Sequence, residues 1–388
     1  MTQTIRDKAA IVGIGVTELS RDSGRTEWKM ACQCVKAAVD DAGLKMEDID
    51  GMVKDISDPV DALYLQKCLG IDNLLFASDS HWGTSPLLSA VTAIAAGVAN
   101  NIVYYRSVNG SSKRKMISDF RAAAETRDDS LDMIRHDFYS PFGLITADGR
   151  VAMLVRRYMH EYGAKKDQFG WITVVASEHA AKNPRAVFYD SAITIDDYLK
   201  SKVTVEPLHA LDYAPEVDGA LAIVITASER AKSLKQRPAI ILSVAQGTAT
   251  EGQVFSSYSR PEITGLPETK LMAQELFRVA SVTPKDIKVA QLDDSYAPLV
   301  AMQLEELGFC GRGEGAAFCE GGNRIRLGGQ LPINTSGGFL GEGYIYGTHV
   351  VEAVRQIRGA SANQVDKADL ALVASGAGGP ADGLILRT

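Results

Sequence analysis

The sequence contains little cysteine and no closely spaced metal-binding pairs. Only five of its 388 residues are cysteines, and none of them forms a CxxC pair. This excludes a disulfide scaffold and gives no indication of a zinc site. The six histidines include no HxH or HxxxH pair, so we expect no metal site. We interpret the cysteines as buried free thiols, which are typical of a protein in the reducing cytoplasm.

Positive charge and long apolar runs are also scarce. The chain has 41 Lys and Arg residues against 48 Asp and Glu residues, a net charge of −7. Proteins that bind nucleic acid usually have the opposite balance, so we expect no nucleic-acid partner. The stretch 80–105 carries no charged side chain, but Ser89 and Asn100 interrupt it, and its pattern changes from helical to strand-like after Gly97. We therefore predict a buried helix followed by a buried strand, and no insertion into a membrane.

What the sequence does contain is an ordered internal repeat. The segment Ala42–Val53 resembles Ala280–Gln291, and in both halves an amphipathic helix comes before it and a second helix and strand come after it. Repeated strand–helix–strand units indicate an α/β fold with a mostly parallel sheet and helices on both faces. We predict two halves, residues 1–245 and 246–388, with an inserted loop region at about 107–165 in the first half.

Familiar nucleotide-binding and hydrolase motifs are missing. There is no Walker phosphate loop and no GxSxG nucleophile elbow. Gly13 and Gly15 follow a predicted strand, but Glu18 takes the third glycine position of a dinucleotide-binding turn, where its carboxylate would repel a pyrophosphate. Two other segments are dense in special residues, namely Leu292–Pro298 (LDDSYAP) and Asn334–Gly347 (NTSGGFLGEGYIYG). The residues alone leave two interpretations open, a ligand site at a strand end or ordinary packing of tyrosine rings.

These segments are part of a wider resemblance. Duplicated α/β halves with an Asn-x-x-Gly-Gly loop shortly before a Gly-x-x-x-Gly element are similar to the thiolase superfamily. Three further segments resemble its lipid-transfer-protein or sterol-carrier-like branch, namely Asn183–Leu199, Pro207–Thr226 and Leu304–Gly322. The resemblance implies an α/β thiolase fold, a duplicated αβαβα architecture of five layers with a loop insertion in the first half.

The acyl-transfer residues of a thiolase are nevertheless missing from the matching positions. The nucleophilic cysteine at the start of the buried helix falls on Ser80, or on Gly83 if a gap is allowed, and the final glycine-rich turn has no cysteine. Tyr344 stands at the histidine of the GHPxG motif, and Asp293 and Tyr296 stand at the asparagine and phenylalanine of the NEAF motif. Without a thiolate there is no covalent acyl-enzyme, so thiolysis and Claisen condensation are disfavoured.

The same branch resembles thiolase-fold aldolases that lack the cysteine, cleave the side chains of steroid acyl-CoA thioesters and use tyrosines for proton transfer. Retro-aldol cleavage of a β-hydroxyacyl-CoA needs a base at the hydroxyl, an oxyanion stabiliser at the thioester and an acid at Cα. The resemblance thus implies a carbon–carbon lyase. Tyr344 is the first candidate for the base. Tyr296 is the alternative base or the acid, with Asp293 or Asp294 tuning it, and Tyr346 is a further alternative.

We expect the substrate to contact residues near these tyrosines. The candidates are Ser80, His81, Gly337, Gly338, Gly376 and Gly378. The inserted region Lys113–Phe142 would either cover an extended apolar substrate or pack as an ordinary loop.

Two alternative functions remain open, a residual acyltransferase that uses Ser80 and a non-catalytic acyl-CoA-binding or scaffolding subunit. The resemblance implies a homodimer, together with a small Zn-ribbon/OB-fold partner protein or a hydratase-fused module. It implies no cofactor, because CoA is part of the substrate. We expect the protein in the cytoplasm.

Overall fold

The computed structural model describes residues 5–81, 83–112, 139–144, 146–249, 262–377 and 379–388. Most of the inserted region Lys113–Phe142 lies outside the described residues, and so does Gly378. The roles predicted for them stay predictions.

The described residues form strands and helices in both halves of the chain. The strands are β1 (Ala9–Val16), β2 (Gly51–Asp55), β3 (Phe76–Ser80), β4 (Asn101–Asn109), β5 (Val203–Val205), β6 (Leu208–His209), β7 (Asp218–Ala227), β8 (Ala239–Gly247), β9 (Val289–Leu292), β10 (Leu370–Ser375) and β11 (Ala381–Arg387). The α-helices are α1 (Glu27–Ala42), α2 (Ala62–Leu69), α3 (Ser85–Ala95), α4 (Ala147–Tyr162), α5 (Lys166–Ala180), α6 (Ile195–Lys200), α7 (Ser228–Ala231), α8 (Pro267–Ala280), α9 (Ala297–Glu306), α10 (Gly315–Cys319), α11 (Gly338–Gly341) and α12 (Thr348–Arg358). The predicted buried helix and strand are confirmed as α3 and β4.

Local sequence signals fix the ends of the longer helices. At the start of α1, the Thr26 hydroxyl accepts the Lys29 N–H at 3.2 Å. At its end, Gly43 adopts a left-handed conformation with φ of 74°. A hydroxyl cap at the N-terminus and a glycine at the C-terminus satisfy backbone groups that a helix end leaves unpaired.

Nine strands form a single sheet in the order β3-β2-β4-β7-β1-β8-β11-β10-β9. Strands β2, β3 and β4 pair in parallel, as do β9 and β10. The prediction of a mostly parallel sheet is wrong, because β7 and β11 lie antiparallel to both of their neighbours. Both strands enter the sheet from outside the repeated strand–helix–strand units, so the repeat could not reveal their direction.

The internal duplication is confirmed by the order of pairing. In the first half the neighbours run β1, β7, β4, β2, and in the second half β8, β11, β10, β9, with the same parallel and antiparallel relationships. The counterpart of β3 is reduced to one parallel bridge between Ala290 and Ile333. The halves meet where Ala10 and Ile11 of β1 pair with β8. Strand β8 spans the proposed boundary at residues 245 and 246, and the division there stays a prediction.

Three apolar clusters arrange these elements in the five layers that the resemblance implies. Helix α1 packs through residues such as Val35 on one face of the first half of the sheet. Helices α3 and α12 share a cluster with strands of both halves, through Leu87 and Val351 among others, and so lie between them. Helix α8 packs through Met272 on the outer face of the second half. Burial of apolar side chains in all three clusters holds the layers together.

The five cysteines lie in the outer layers. Cys34 and Cys319 are buried as predicted, and Cys32 and Cys310 are half-buried. The prediction is wrong for Cys68, which is exposed because α2 buries only Ala62 and Leu65. Cys32 and Cys34 belong to the apolar cluster of α1, and Cys310 and Cys319 belong to that of α8.

Across the described ranges, no helix combines the length and the apolar character that a membrane crossing requires. The same residues contain no group of three or more His, Cys, Asp or Glu side chains placed to hold a metal ion.

Candidate active site

One extended segment, residues 213–216, brings the two predicted catalytic tyrosines together. Tyr213 forms an antiparallel bridge with Tyr296, and Glu216 forms a parallel bridge with Tyr344. The Ala214 N–H donates to the Ser295 carbonyl at 3.1 Å, and the Tyr344 N–H donates to the Pro215 carbonyl at 3.1 Å. The segment leads directly into β7, so the central sheet fixes the position of both tyrosines.

Tyr296 sits at the N-terminus of α9, and its hydroxyl donates to Asp148 Oδ1 at 2.8 Å. Its ring meets the Tyr213 ring edge-on, with the centroids 5.4 Å apart. Burial and the neighbouring Asp148 carboxylate raise the pKa of Tyr296 above its usual value. The phenol therefore carries its proton at neutral pH, and that proton points at a carboxylate.

Tyr344 lies in an aromatic cluster that follows α11. Its ring meets Phe339 edge-on at a centroid distance of 5.0 Å and Tyr346 at 5.4 Å. Burial raises the pKa of Tyr344, and so does Asp293, whereas a hydrogen bond from the Tyr346 hydroxyl lowers it. The charge state of Tyr344 in turn affects the pKa of Tyr296, so the two phenols are electrostatically coupled.

Asp293 and Asp294 are both buried and both accept backbone hydrogen bonds. Asp293 accepts the Ser295 N–H and the Gly376 N–H, each at 3.0 Å. Asp294 accepts the Phe339 N–H at 2.8 Å and lies 3.2 Å from Nε2 of His349. The two carboxylates thus orient the loops that carry the tyrosines. The predicted tuning of Tyr296 by either of them stays a prediction, and the carboxylate bonded to Tyr296 is Asp148.

The glycines that were predicted to contact substrate lie where the backbone packs closely against other atoms. Gly337, Gly338 and Gly376 have φ values of 107°, 62° and 77°. A Cβ at Gly338 would stand 2.1 Å from an Asp294 oxygen, and one at Gly376 would stand 2.2 Å from the Pro380 carbonyl oxygen. Because only glycine tolerates both the conformation and the contact, Gly338 allows its loop to approach Asp294, and Gly376 allows its turn to approach Pro380. Their predicted contact with substrate stays a prediction.

The N-terminus of α3, where a thiolase carries its cysteine, is occupied by a carboxylate from β11. Asp382 accepts the Thr84 N–H at 2.5 Å, the Thr84 hydroxyl at 2.6 Å and the Ser85 hydroxyl at 2.9 Å. A Cβ at Gly83 would stand 2.6 Å from Asp382 Oδ1. Burial raises the pKa of Asp382 to about 6, against the hydrogen bonds from Thr84 and Ser85.

Ser80 and His81 lie at the end of β3, ahead of this helix. The Ser80 hydroxyl is 2.7 Å from the Ser89 hydroxyl on α3. Burial lowers the pKa of His81, and the Asp55 carboxylate opposes this effect. His81 is therefore neutral at physiological pH. Contact of either residue with substrate stays a prediction.

Sequence reasoning missed Asp148 and the charged residues behind the tyrosines. Asp148 is separated from Tyr296 by 148 positions in the chain. Its place in the first turn of α4 resembles an ordinary acidic helix start, which gave no reason to select it. Arg106 and Asp55 also influence the pKa of Tyr344, but each reads in sequence as a polar residue at the end of a buried strand.

Comparisons with known proteins agree with this architecture. Residues 247–384 match the thiolase C-terminal domain-like family model. The chain is 44% identical over 383 residues to a steroid side-chain-cleaving aldolase from Thermomonospora curvata, covering 97% of each protein. It is 43% identical over 384 residues to the 17-hydroxy-3-oxo-4-pregnene-20-carboxyl-CoA lyase of Mycobacterium tuberculosis, covering 98% of this chain and 99% of that one. The solved Ltp2-ChsH2(DUF35) aldolase superposes with a TM-score of 0.93 at 43% identity, covering 100% of this chain and 99% of that one.

Proposed function

The chain belongs to the thiolase-like family of steroid side-chain-cleaving aldolases, and on that premise we propose that Tyr296 and Tyr344 carry its proton transfers. The enzyme is a carbon–carbon lyase that acts on acyl-CoA thioesters. The observation that carries the proposal is the pairing of Tyr296 and Tyr344 with the same backbone segment, residues 213–216, with the proton of Tyr296 directed at Asp148.

The reaction balances with two proton transfers. A base removes the proton of the hydroxyl on Cβ, and the oxygen electrons form a ketone as the Cα–Cβ bond breaks. The electron pair of that bond becomes a thioester enolate, and an acid then delivers a proton to Cα. The products are a ketone and a shortened acyl-CoA. No electron acceptor or metal is needed for these steps, and CoA enters only as part of the substrate.

Tyr296 suits the role of base better than the role of acid. Its hydroxyl proton already lies on a hydrogen bond to Asp148. As the phenol oxygen takes the proton of the substrate hydroxyl, it can pass its own proton to the carboxylate in the same step. A buried phenolate is therefore never required as a stable species. This assigns the base to the residue that the sequence gave as the alternative.

Tyr344 suits the role of acid. It stays protonated at neutral pH because burial and Asp293 raise its pKa. The hydrogen bond from Tyr346 and the positive charge of Arg106 both favour the phenolate that remains after the proton has left. Two titratable groups whose surroundings act on them in different ways are the usual basis for separate acid and base roles.

The alternative functions find less support at α3. An acyltransferase that uses Ser80 would need a base at that hydroxyl, and its neighbour at 2.7 Å is the Ser89 hydroxyl. A scaffolding subunit would not need a phenol directed at a carboxylate. We therefore retain the lyase as the proposed activity of this site.

We test the proposal with 17-hydroxy-3-oxo-4-pregnene-20-carboxyl-CoA, the compound in the name of the Mycobacterium tuberculosis relative. Cleavage between C17 and C20 would release a 17-ketosteroid and propionyl-CoA without added free CoA. A requirement for free CoA, or a trapped acyl-serine, would support the acyltransferase instead. Tight binding without turnover, with and without a DUF35 partner, would support the scaffold.

The partners are also part of the proposal. The solved aldolase is named for two proteins, Ltp2 and ChsH2(DUF35). We therefore infer that this chain also works with a small partner of that type, a Zn-ribbon/OB-fold protein or a hydratase-fused module. The edge strand β3 supports a homodimer, because Ile56, Leu63, Tyr64 and Leu75 beside it are exposed. Light scattering of the Tyr64→Asp and Leu75→Asp variants would test the dimer. We also infer a cytoplasmic location, which the free thiols support because they are typical of a reducing compartment.

A further inference from the structure

A buried charged cluster lies behind the loop that carries Tyr344. Tyr104 and Arg106 are two residues apart on β4, so their side chains lie on the same face of the sheet. On that face Gly347 packs against the Tyr104 ring, where a Cβ would stand 3.2 Å from Cε1. Gly347, three residues after Tyr344, therefore packs on β4 two positions from Arg106.

Arg106 is held between two buried carboxylates without being tightly paired to either. Its Nη1 lies 3.8 Å from Asp55 Oδ1 and 3.8 Å from Asp58 Oδ2. Asp55 Oδ1 accepts the N–H of Ser57 at 2.8 Å, and Asp58 Oδ2 accepts the N–H of Ser107 at 2.6 Å. Among the described residues, Nε and Nη1 of Arg106 and Oδ2 of Asp55 have no hydrogen-bond partner. Both carboxylates therefore accept backbone N–H groups, and neither makes a hydrogen-bonded ion pair with Nη1 of Arg106.

Charges of both signs face the phenol pair formed by Tyr344 and Tyr346. Asp293 comes from the segment after β9, Asp55 from β2 and Arg106 from β4. The two carboxylates favour the protonated phenol, and the guanidinium favours the phenolate. Tyr296 faces the pair from the far side of residues 213–216 and is neutral at rest. Arg106 thus supplies the positive charge among these groups.

We propose that Arg106, held by Asp55 and Asp58, is a positioning residue that sets the charge balance at the Tyr344–Tyr346 pair and so the ease with which Tyr344 gives its proton to the enolate. The inference rests on the proposed acid role of Tyr344. It makes a directional prediction, because Arg106 and Asp55 act on the same phenol with opposite signs. Loss of the first should make Tyr344 a weaker acid, and loss of the second a stronger one.

The test places 3-fluorotyrosine at position 344 and follows its ¹⁹F chemical shift with pH in the full-length protein. Arg106→Gln should raise the titration midpoint by about one pH unit and Asp55→Asn should lower it by about one unit, as expected for a charge near a partly buried group. Arg106→Lys keeps the charge and should restore the midpoint to within a few tenths of a unit of the parent protein. The double variant Arg106→Gln/Asp55→Asn should also return close to it.

Turnover gives a second reading of the same variants. Arg106→Gln should lower kcat about tenfold or more with little change in KM, and Arg106→Lys should recover most of the loss. Midpoints that do not move, or that move in the same direction in Arg106→Gln and Asp55→Asn, would overturn the inference. If Arg106→Gln does not fold, Asp55→Asn and Arg106→Lys still decide it by their midpoints. Absence of cleavage by the wild-type protein would instead count against the proposed function.

Discussion

The N-terminus of α3 and the loop around Tyr344 contribute Leu87 and Ile345 to the same apolar cluster, but their polar groups are arranged in opposite ways. At α3, the polar groups of Thr84 and Ser85 are bonded to Asp382. At the loop, Tyr344 and Tyr346 are only partly buried, and across residues 213–216 Tyr296 directs its proton at a carboxylate. A helix N-terminus is a natural place to stabilise a thiolate. Here that place is closed by a carboxylate, and the groups that can move protons lie on the loops.

The largest effect on turnover is expected from removing each phenolic hydroxyl. Tyr344→Phe and Tyr296→Phe should each lower kcat by about 10²–10⁴-fold, the usual contribution of a general acid or base. Cleavage in D₂O separates their roles, because the enolate acquires deuterium at Cα. The Tyr296→Phe variant should keep the single configuration that wild-type enzyme produces, whereas Tyr344→Phe should give both, since water then delivers the deuteron.

The matched control for these variants is Tyr213→Phe, which keeps the ring that packs on Tyr296. It should cost much less activity than either substitution. Stereospecific deuteration by Tyr344→Phe would contradict the acid role assigned to Tyr344. Wild-type rates in both phenylalanine variants would remove the phenols from the mechanism.

A smaller effect is expected at the carboxylate beside Tyr296. Asp148→Asn keeps an oxygen that can accept the Tyr296 hydrogen bond, but an amide cannot take up the proton. We expect kcat to fall roughly ten- to a hundredfold, with the loss greatest in the step that removes the substrate hydroxyl proton. The measurement is the solvent isotope effect on kcat, which should rise as this transfer becomes limiting. Asp167→Asn, in the first turn of the next helix, is the control. Equal losses in both variants would show that Asp148 has no special role.

The sequence predicted features that depend on local signals or known motifs and missed those that do not. The amphipathic helix predicted ahead of the first repeat segment is confirmed as α1, because apolar spacing is a local signal. Strand β3 was missed, because its residues Phe76–Ser80 are mostly polar and alternate between half-buried and exposed. The two tyrosines were selected because they replace known motif residues.

Their partners were beyond the reach of sequence reasoning. Asp148 meets Tyr296, and Asp382 meets Thr84, only through tertiary contacts between residues that are 148 and 298 positions apart. No spacing rule connects residues at such separations. The direction of β7 and β11 was lost for the same reason, since pairing between distant strands depends on the whole fold.

Placing a cysteine at the N-terminus of α3, which Asp382 occupies, should not restore thiolase chemistry. In Gly83→Cys the new Cβ would stand 2.6 Å from Asp382 Oδ1 at a backbone φ of 80°. We expect a loss of about 1–3 kcal/mol in the free energy of unfolding, from backbone strain and displacement of the carboxylate. Urea denaturation measures this loss, and Gly97→Ala, where a Cβ has open space at a φ of 72°, isolates the contribution of the backbone. CoA-dependent thiolysis by Gly83→Cys would show that the missing cysteine alone, and not Asp382, prevents thiolase chemistry at this site.

The smallest effect concerns the pH dependence of stability at the same carboxylate. Burial raises the pKa of Asp382 from an ordinary 3.8 to about 6. Because the fold favours the protonated form, its contribution to stability is complete below pH 4 and is lost as the pH rises through 6. Asp382→Asn is neutral at every pH, so the unfolding free energy of wild type minus that of the variant should fall by about 2 kcal/mol between pH 4 and pH 7. Asp58 and Asp212, whose pKa values burial also raises to about 6, are present in both proteins and cancel in this difference. A difference that stays constant or grows with pH would mean that the Thr84 and Ser85 hydrogen bonds outweigh burial, and that the α3 site holds a stable negative charge.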